Sequence, residues 1–169
     1  MIIFLVGFMG CGKTTLGKKL SAKLNYTFVD LDKKIEQVSG ERIADYFSNY
    51  GESSFRELER DTLQKSSFPA DSVVATGGGA PCFFDNMEWM NKNGLTIYIS
   101  LPPNALASRL ENAKTERPLI KNLNHMELVE FIKNRLEARD PFYKKAQYVL
   151  NGTDITAEKV VESIRTQLK

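Results

Sequence analysis

The sequence predicts an α/β protein built on a five-stranded parallel sheet with helices on both faces, and three observations predict it. Short β-rich runs alternate with helical patterns along the whole chain, the first run (residues 2–6, Ile-Ile-Phe-Leu-Val) is apolar throughout, and a glycine-rich turn joins it to a helical pattern. Strands that alternate with helices pair in parallel, and the crossovers cover both faces. A strand buried on both faces reads as an unbroken apolar run.

The elements follow in order. Residues 2–6 form the first strand, and Lys13 opens a helix marked by Leu16, Leu20 and Leu24. Residues 26–31 read as a second strand. Residues 33–66 are helical in pattern, with interruptions at Ser39-Gly40 and Tyr50-Gly51. Residues 72–76 make a third strand that runs into Gly77-Gly78-Gly79, residues 95–101 a fourth that Pro102-Pro103 ends, and residues 148–150 a short fifth. Helices are expected over about 85–92, 104–111, 126–140 and 157–168, with Pro141 discouraging helix at Asp140. Residues 111–125 are polar, basic and weakly patterned and carry Arg117-Pro118; they read as a mobile lid, against the alternative of a plain surface loop.

Bulk properties bound the answer. At 169 residues, 42% hydrophobic and 26% charged, the chain fits one globular domain, 1–169. A net charge of +2 gives no reason to expect nucleic acid as a partner. Cys11 and Cys82 form no C-x-x-C, and with His125 as the single histidine no zinc set is available. The apolar start has no basic leader and is cut by Gly7, so neither a signal peptide nor a membrane span is expected, and the cytoplasm is the expected compartment.

The chemistry is concentrated in residues 7–14, which fit G-x-x-x-x-G-K-[ST] at every fixed position, after a strand and before a helix. Gly7, Gly10 and Gly12 let several backbone N–H groups converge on one anion, and the following helix adds the positive end of its dipole. Lys13 can reach β- and γ-phosphates, and the Thr14 hydroxyl is a hard oxygen donor for Mg²⁺. Gly10, Cys11, Gly12, Lys13, Thr14 and Thr15 are therefore the expected phosphate-binding residues of a nucleoside triphosphate site. Cys11, near a helix N-terminus, is either a thiol of lowered pKa or a small side chain filling the loop.

The second strand ends Asp30-Leu31-Asp32. Positions i and i+2 of a strand face the same way, which would set both carboxylates on one side of the sheet with Leu31 on the other. One could hold Mg²⁺ and the other accept a proton from a substrate hydroxyl, while Asp32 could instead cap the next helix. The third strand lacks a terminal acid, and its glycine triplet suggests close approach of backbone to a ligand. Arg56, Arg117 and Arg139 each read alone as solvated or ion-paired; together they could clamp carboxylate and phosphate.

Taken in order, the phosphate loop, Asp-x-Asp, Phe-Arg-x-x-Glu, Gly-Gly-Gly, a flap with Arg-Pro and Arg-x-Pro-x-Tyr resemble the shikimate kinases over essentially the whole chain. The resemblance implies a P-loop kinase fold with a mobile lid, ATP and Mg²⁺, and phosphorylation of the 3-hydroxyl of shikimate; a monomer is the expected state. It also implies that Asp32 binds the reacting hydroxyls and acts as base, and that Arg56, Arg139, Gly78 and Gly79 hold the acceptor. Asp30 and Thr14 would serve Mg²⁺, Arg117 would reach the phosphates from the lid, and Arg109 would stack on adenine. Adenine would also meet the loop 152–156, where this chain lacks the proline often found, so no residue there is assigned. Other readings are a kinase for gluconate or a nucleotide, which leaves the glycine triplet and Arg139 idle, and a nucleotide-binding regulator without catalysis. A GTP switch needs N-K-x-D, and the nearest run, Asn91-Lys92-Asn93-Gly94, lacks the carboxylate.

Overall fold

The computed structural model describes residues 1–113 and 120–167. Five strands, β1 (Ile2–Val6), β2 (Thr27–Asp30), β3 (Ser72–Ala75), β4 (Leu95–Ser100) and β5 (Tyr148–Asn151), pair in parallel in the order β2-β3-β1-β4-β5. Consecutive residues of β1, β3 and β4 are buried, which requires cover on both faces. The edge strand β5 instead alternates, with Tyr148 and Leu150 packed against the core and Val149 exposed.

The helices are α1 (Lys13–Leu24), α2 (Leu31–Ser39), α3 (Ile43–Lys65), α4 (Asn86–Asn93), α5 (Pro103–Glu111), α6 (His125–Tyr143) and α7 (Ala157–Gln167), with a 3-10 turn at Ala80–Cys82. The two interruptions expected within residues 33–66 are both present. Gly40 (φ 74°) ends α2, and Gly51 (φ 81°) kinks α3. Leu16 and Leu20 of α1 are buried as their spacing required.

Two local expectations fail. The second strand stops at Asp30, and Leu31 already begins α2. Asp30 rather than Asp32 is the cap: its Oδ1 accepts from the backbone N–H of Asp32 at 3.1 Å and of Lys33 at 3.4 Å. Helix α6 runs through Pro141 to Tyr143 instead of stopping near Asp140. Proline removes one helical hydrogen bond, but Tyr143 is fully buried, stacks on Tyr98 with ring centroids 5.0 Å apart, and donates its hydroxyl proton to the Gly78 carbonyl. Tertiary packing of that ring carries the helix past the proline.

Space around Gly94 makes a prediction about stability. Its backbone is extended, so a side chain is not barred by φ, yet a Cβ there would lie 2.5 Å from the Ile2 carbonyl oxygen and 2.9 Å from the Phe4 ring. Gly94→Ala is expected to destabilise the protein by about 1–3 kcal/mol, the usual cost of overpacking. A thermal melt of the variant matching that of the parent would show that β1 yields freely at this point.

Candidate active site

The phosphate loop leaves the carboxyl end of β1, the central strand, where parallel sheets open a crevice for ligands. Gly10 (φ 81°) and Gly12 (φ 99°) adopt left-handed backbone that a side chain would strain, and Lys13 begins α1. The buried Lys13 ammonium donates to the carbonyls of Gly7 at 2.7 Å and Phe8 at 2.9 Å, so the loop itself holds the charge in place. The Cys11 side chain is buried, with Sγ 3.6 Å from Lys13 Nζ, as a loop-filling side chain would be.

Two cavities meet at this loop. One, of about 320 Å³, is lined by Gly10, Lys13, Thr14, Asp30, Asp32 and Gly78 among others. Asp30 and Asp32 thus share a cavity as expected, although one closes the strand and the other lies in the first turn of α2. The Thr14 hydroxyl and the Asp30 carboxylate suit Mg²⁺, which takes oxygen donors and keeps waters and phosphate oxygens in its shell. The helix cap uses Asp30 Oδ1, so the carboxylate can cap with one oxygen and coordinate with the other. No cluster of three or more His, Cys, Asp or Glu residues occurs among the described residues, and a Mg²⁺ ion carried by nucleotide phosphates needs none.

The other cavity, of about 840 Å³, runs from Gly12 and Thr15 to Gly152, Ile155 and Thr156. Arg109 borders both cavities and ties their walls together. Its guanidinium donates to the Cys11 carbonyl at 3.0 Å and to the Thr153 carbonyl at 3.4 Å. The resemblance points to the loop 152–156 without assigning a residue there, and Gly152, Ile155 and Thr156 are the ones that line the cavity.

Behind the carboxylates the glycine triplet has a steric reason. A Cβ on Gly77 would lie 2.9 Å from Asp32 Oδ1 and 3.1 Å from Glu59 Oε1. On Gly78 it would meet the Met9 backbone nitrogen at 3.2 Å and Arg139 Nη1 at 3.6 Å, and on Gly79 both terminal nitrogens of Arg56 at 2.6 Å. A Cβ on Gly77 or Gly79 would therefore push Asp32 or Arg56 aside, whereas on Gly78 it would crowd the Met9 backbone and only touch Arg139. The arginines that sequence could not place together, Arg56 on α3 and Arg139 on α6, converge on this one turn.

Glu59 is the residue whose part sequence reasoning missed, although it closes the Phe-Arg-x-x-Glu pattern. Only 1% exposed, it accepts from Arg56 Nη1 at 2.7 Å, while Glu52 lies 3.3 Å from Nη2. Burial raises the Glu59 carboxyl above its ordinary range, and the neighbouring Arg56 guanidinium opposes that rise. Burial likewise pushes the Cys82 thiol up to about 11 and keeps the Tyr143 hydroxyl protonated, as its bond to Gly78 requires. Arg117 lies outside the described residues.

A parallel sheet in this order, with a phosphate loop on its central strand, is the architecture of the small P-loop kinases, and the aspartates and arginines beyond the loop leave room for an acceptor beside the nucleotide. Comparison with known proteins narrows the class. A family model described as shikimate kinase matches residues 9–169, and the chain belongs to that family. The shikimate kinase of Bacteroides thetaiotaomicron is 45% identical over 161 residues, 95% of this chain and 92% of that protein. That of Sulfurihydrogenibium sp. is 42% identical over 167 residues, 99% of this chain and 97% of that protein. Among solved structures, a crystal structure of the Bacteroides thetaiotaomicron shikimate kinase superposes with a TM-score of 0.90 at 43% identity, covering 99% of this chain and 98% of that one. Shikimate kinase from Acinetobacter baumannii in complex with shikimate superposes with a TM-score of 0.84 at 32% identity, covering 99% and 92%.

Proposed function

We propose that this chain transfers the γ-phosphate of ATP to the 3-hydroxyl of shikimate, a step toward chorismate and the aromatic amino acids. The observation that carries the reading, beyond membership of the family, is the meeting of Arg56 and Arg139 over Gly78 and Gly79, beside Asp32. A carboxylated polyol needs a paired-donor clamp at one end and a proton acceptor at the other, and these residues supply both.

The loop N–H groups from Gly10 to Thr15 and the Lys13 ammonium hold the phosphates, with Arg109 and the 152–156 loop flanking the base. Thr14 and Asp30 would hold Mg²⁺, which would supply positive charge to the phosphate oxygens when bound. Asp32 orients the acceptor hydroxyl and takes its proton. The acceptor carboxylate bridges the two guanidiniums, where it displaces the exposed Glu52 and leaves the buried Glu59 to fix Arg56. In this reading residues 1–169 are one kinase domain, with an acceptor-binding segment at about 33–66 and a lid at about 111–125.

A gluconate or nucleotide acceptor makes no use of the arginine pair over the triplet. The guanine-reading alternative also loses its asparagine, because Asn91 accepts from Thr96 Oγ1 at 2.5 Å and donates to the Lys145 carbonyl at 2.9 Å. No helix among the described residues is long and apolar enough to cross a membrane. We read the protein as a cytoplasmic monomer acting on a small molecule.

ADP release from ATP and Mg²⁺, followed with and without shikimate, tests the reaction. Lysine at either clamp position keeps the charge and loses the planar fork. Arg56→Lys and Arg139→Lys should each weaken shikimate binding by about tenfold, roughly one lost charged hydrogen bond, with ATP affinity hardly changed. Equal binding of shikimate and its methyl ester by the parent protein would remove the clamp.

A further inference from the structure

Phe83 has no part in the reading above, yet of the aromatic rings around Arg56 it makes the shortest contact. The Arg56 Cζ lies 4.2 Å from the Phe83 ring centroid, against 5.2 Å for Phe55 and 5.9 Å for Phe47. Phe47 and Phe55 share α3 with Arg56. Phe83 has to be delivered from the other side of the site, by the turn that follows the glycine triplet.

That delivery strains the chain. The next residue, Phe84, has φ 50°, in the left-handed region that a bulky residue rarely enters. Phe84 is half-exposed, with the Arg60 guanidinium 4.6 Å from its ring centroid, so burial of Phe84 does not explain the conformation. The turn is instead locked from below by Asn86, which is fully buried. Asn86 donates Nδ2 to the Ala80 carbonyl at 2.9 Å, accepts from Gln64 Nε2 at 3.0 Å, and its backbone N–H bonds to the Phe83 carbonyl at 3.3 Å. Such backbone strain persists only where the surroundings over-determine it, and it clusters at ligand sites.

We propose that Phe83 is a positioning residue that acts on the acceptor through Arg56. Its ring covers one face of a guanidinium whose edges already contact Glu59 and Glu52 and whose two terminal nitrogens lie against Gly79. Covering that face removes water, strengthens the guanidinium as a partner for an anion, and keeps the fork turned toward the acceptor. The consequence is selectivity for an acceptor that carries a carboxylate over its uncharged analogue. The inference rests on shikimate being the acceptor.

Calorimetric titration with shikimate and with its methyl ester, together with steady-state turnover, tests it on the parent protein, Phe83→Leu, Phe83→Trp and Phe83→Ala. Removing the ring as leucine or alanine should weaken shikimate binding by about tenfold, the upper range for a desolvated cation–aromatic contact. Ester binding, the KM for ATP and kcat should stay near parental values, and Phe83→Trp should keep the preference for the acid. Leucine preserves apolar volume, so its result stands even if the alanine variant folds poorly. Equal loss for acid and ester would make Phe83 a shape contact, and full acid preference in Phe83→Leu would make the ring irrelevant; either result overturns the proposal. A parental protein that does not phosphorylate shikimate would overturn the functional reading, and this inference with it.

Discussion

Asp32→Asn is expected to lower shikimate phosphorylation by about 10²- to 10⁴-fold, the span of a lost general base, while ATP affinity stays nearly unchanged. Asparagine keeps the size and hydrogen-bonding reach of the side chain but cannot take the hydroxyl proton. Asp32 lines the same cavity as Lys13, Thr14 and Asp30, and its Oδ1 lies against Gly77, within the acceptor-facing turn. It is not the helix cap, so the substitution leaves α2 its N-terminal hydrogen bonds from Asp30. Lys13→Ala should differ in kind. The ammonium is bonded to the Gly7 and Phe8 carbonyls, and its removal frees the loop as well as deleting the charge that meets the phosphates. Both ATP binding and turnover should fall. Measured kcat and KM for each substrate separate the two patterns, and near-parental turnover in Asp32→Asn would end the proposed role.

Arg117→Ala is expected to lower turnover by about 10³-fold, in the range of an arginine delivered to a transferring phosphoryl group, with little change in shikimate binding. Residue 113, the last described before Arg117, lines the cavity of the phosphate loop together with Arg109. Arg117 itself lies outside the described residues, four positions further along the chain. The far side of the segment is anchored as well. Asn124 and Glu127 form a capping box at the start of α6, and His125 Nδ1 lies 3.0 Å from Glu111, which joins the two ends of the proposed lid. Phosphoryl transfer asks for positioning and charge more than for covalent help, so an arginine that arrives on closure should act on kcat. Proteolysis within 111–125 should slow when an ATP analogue and shikimate are both bound. Equal cleavage in both states, with full turnover in Arg117→Ala, would leave the stretch a surface loop.

The elements were legible in the chain to different depths for physical reasons. Strand β1 and the phosphate loop could be read at once, because burial on both faces and anion binding by backbone each demand particular residues at consecutive positions. The breaks at Gly40 and Gly51 could be read for the same reason, since left-handed backbone favours glycine. The end of β2 was misplaced by one residue. Asp30-Leu31-Asp32 satisfies a strand alternation and a helix start equally, and what separates them is the capping of the Asp32 and Lys33 backbone N–H groups by Asp30 Oδ1. Pro141 was overread because local propensity cannot weigh a buried tyrosine two residues later.

By itself, then, the sequence determined the parallel sheet, the glycine-rich loop after its first strand and, through the order of its motifs, the family. These properties depend on neighbours a few residues apart. The tertiary structure decided how Arg56 and Arg139 come together, why three glycines stand in a row, what holds Arg56, and which residues of the 152–156 loop line the second cavity. Arg56 and Arg139 are far apart in the chain and carry no mark of their partner. They converge because α3 and α6 pack on either side of the turn after β3, and burial there makes Glu59, Tyr143 and the bare glycine backbone the groups that set their positions.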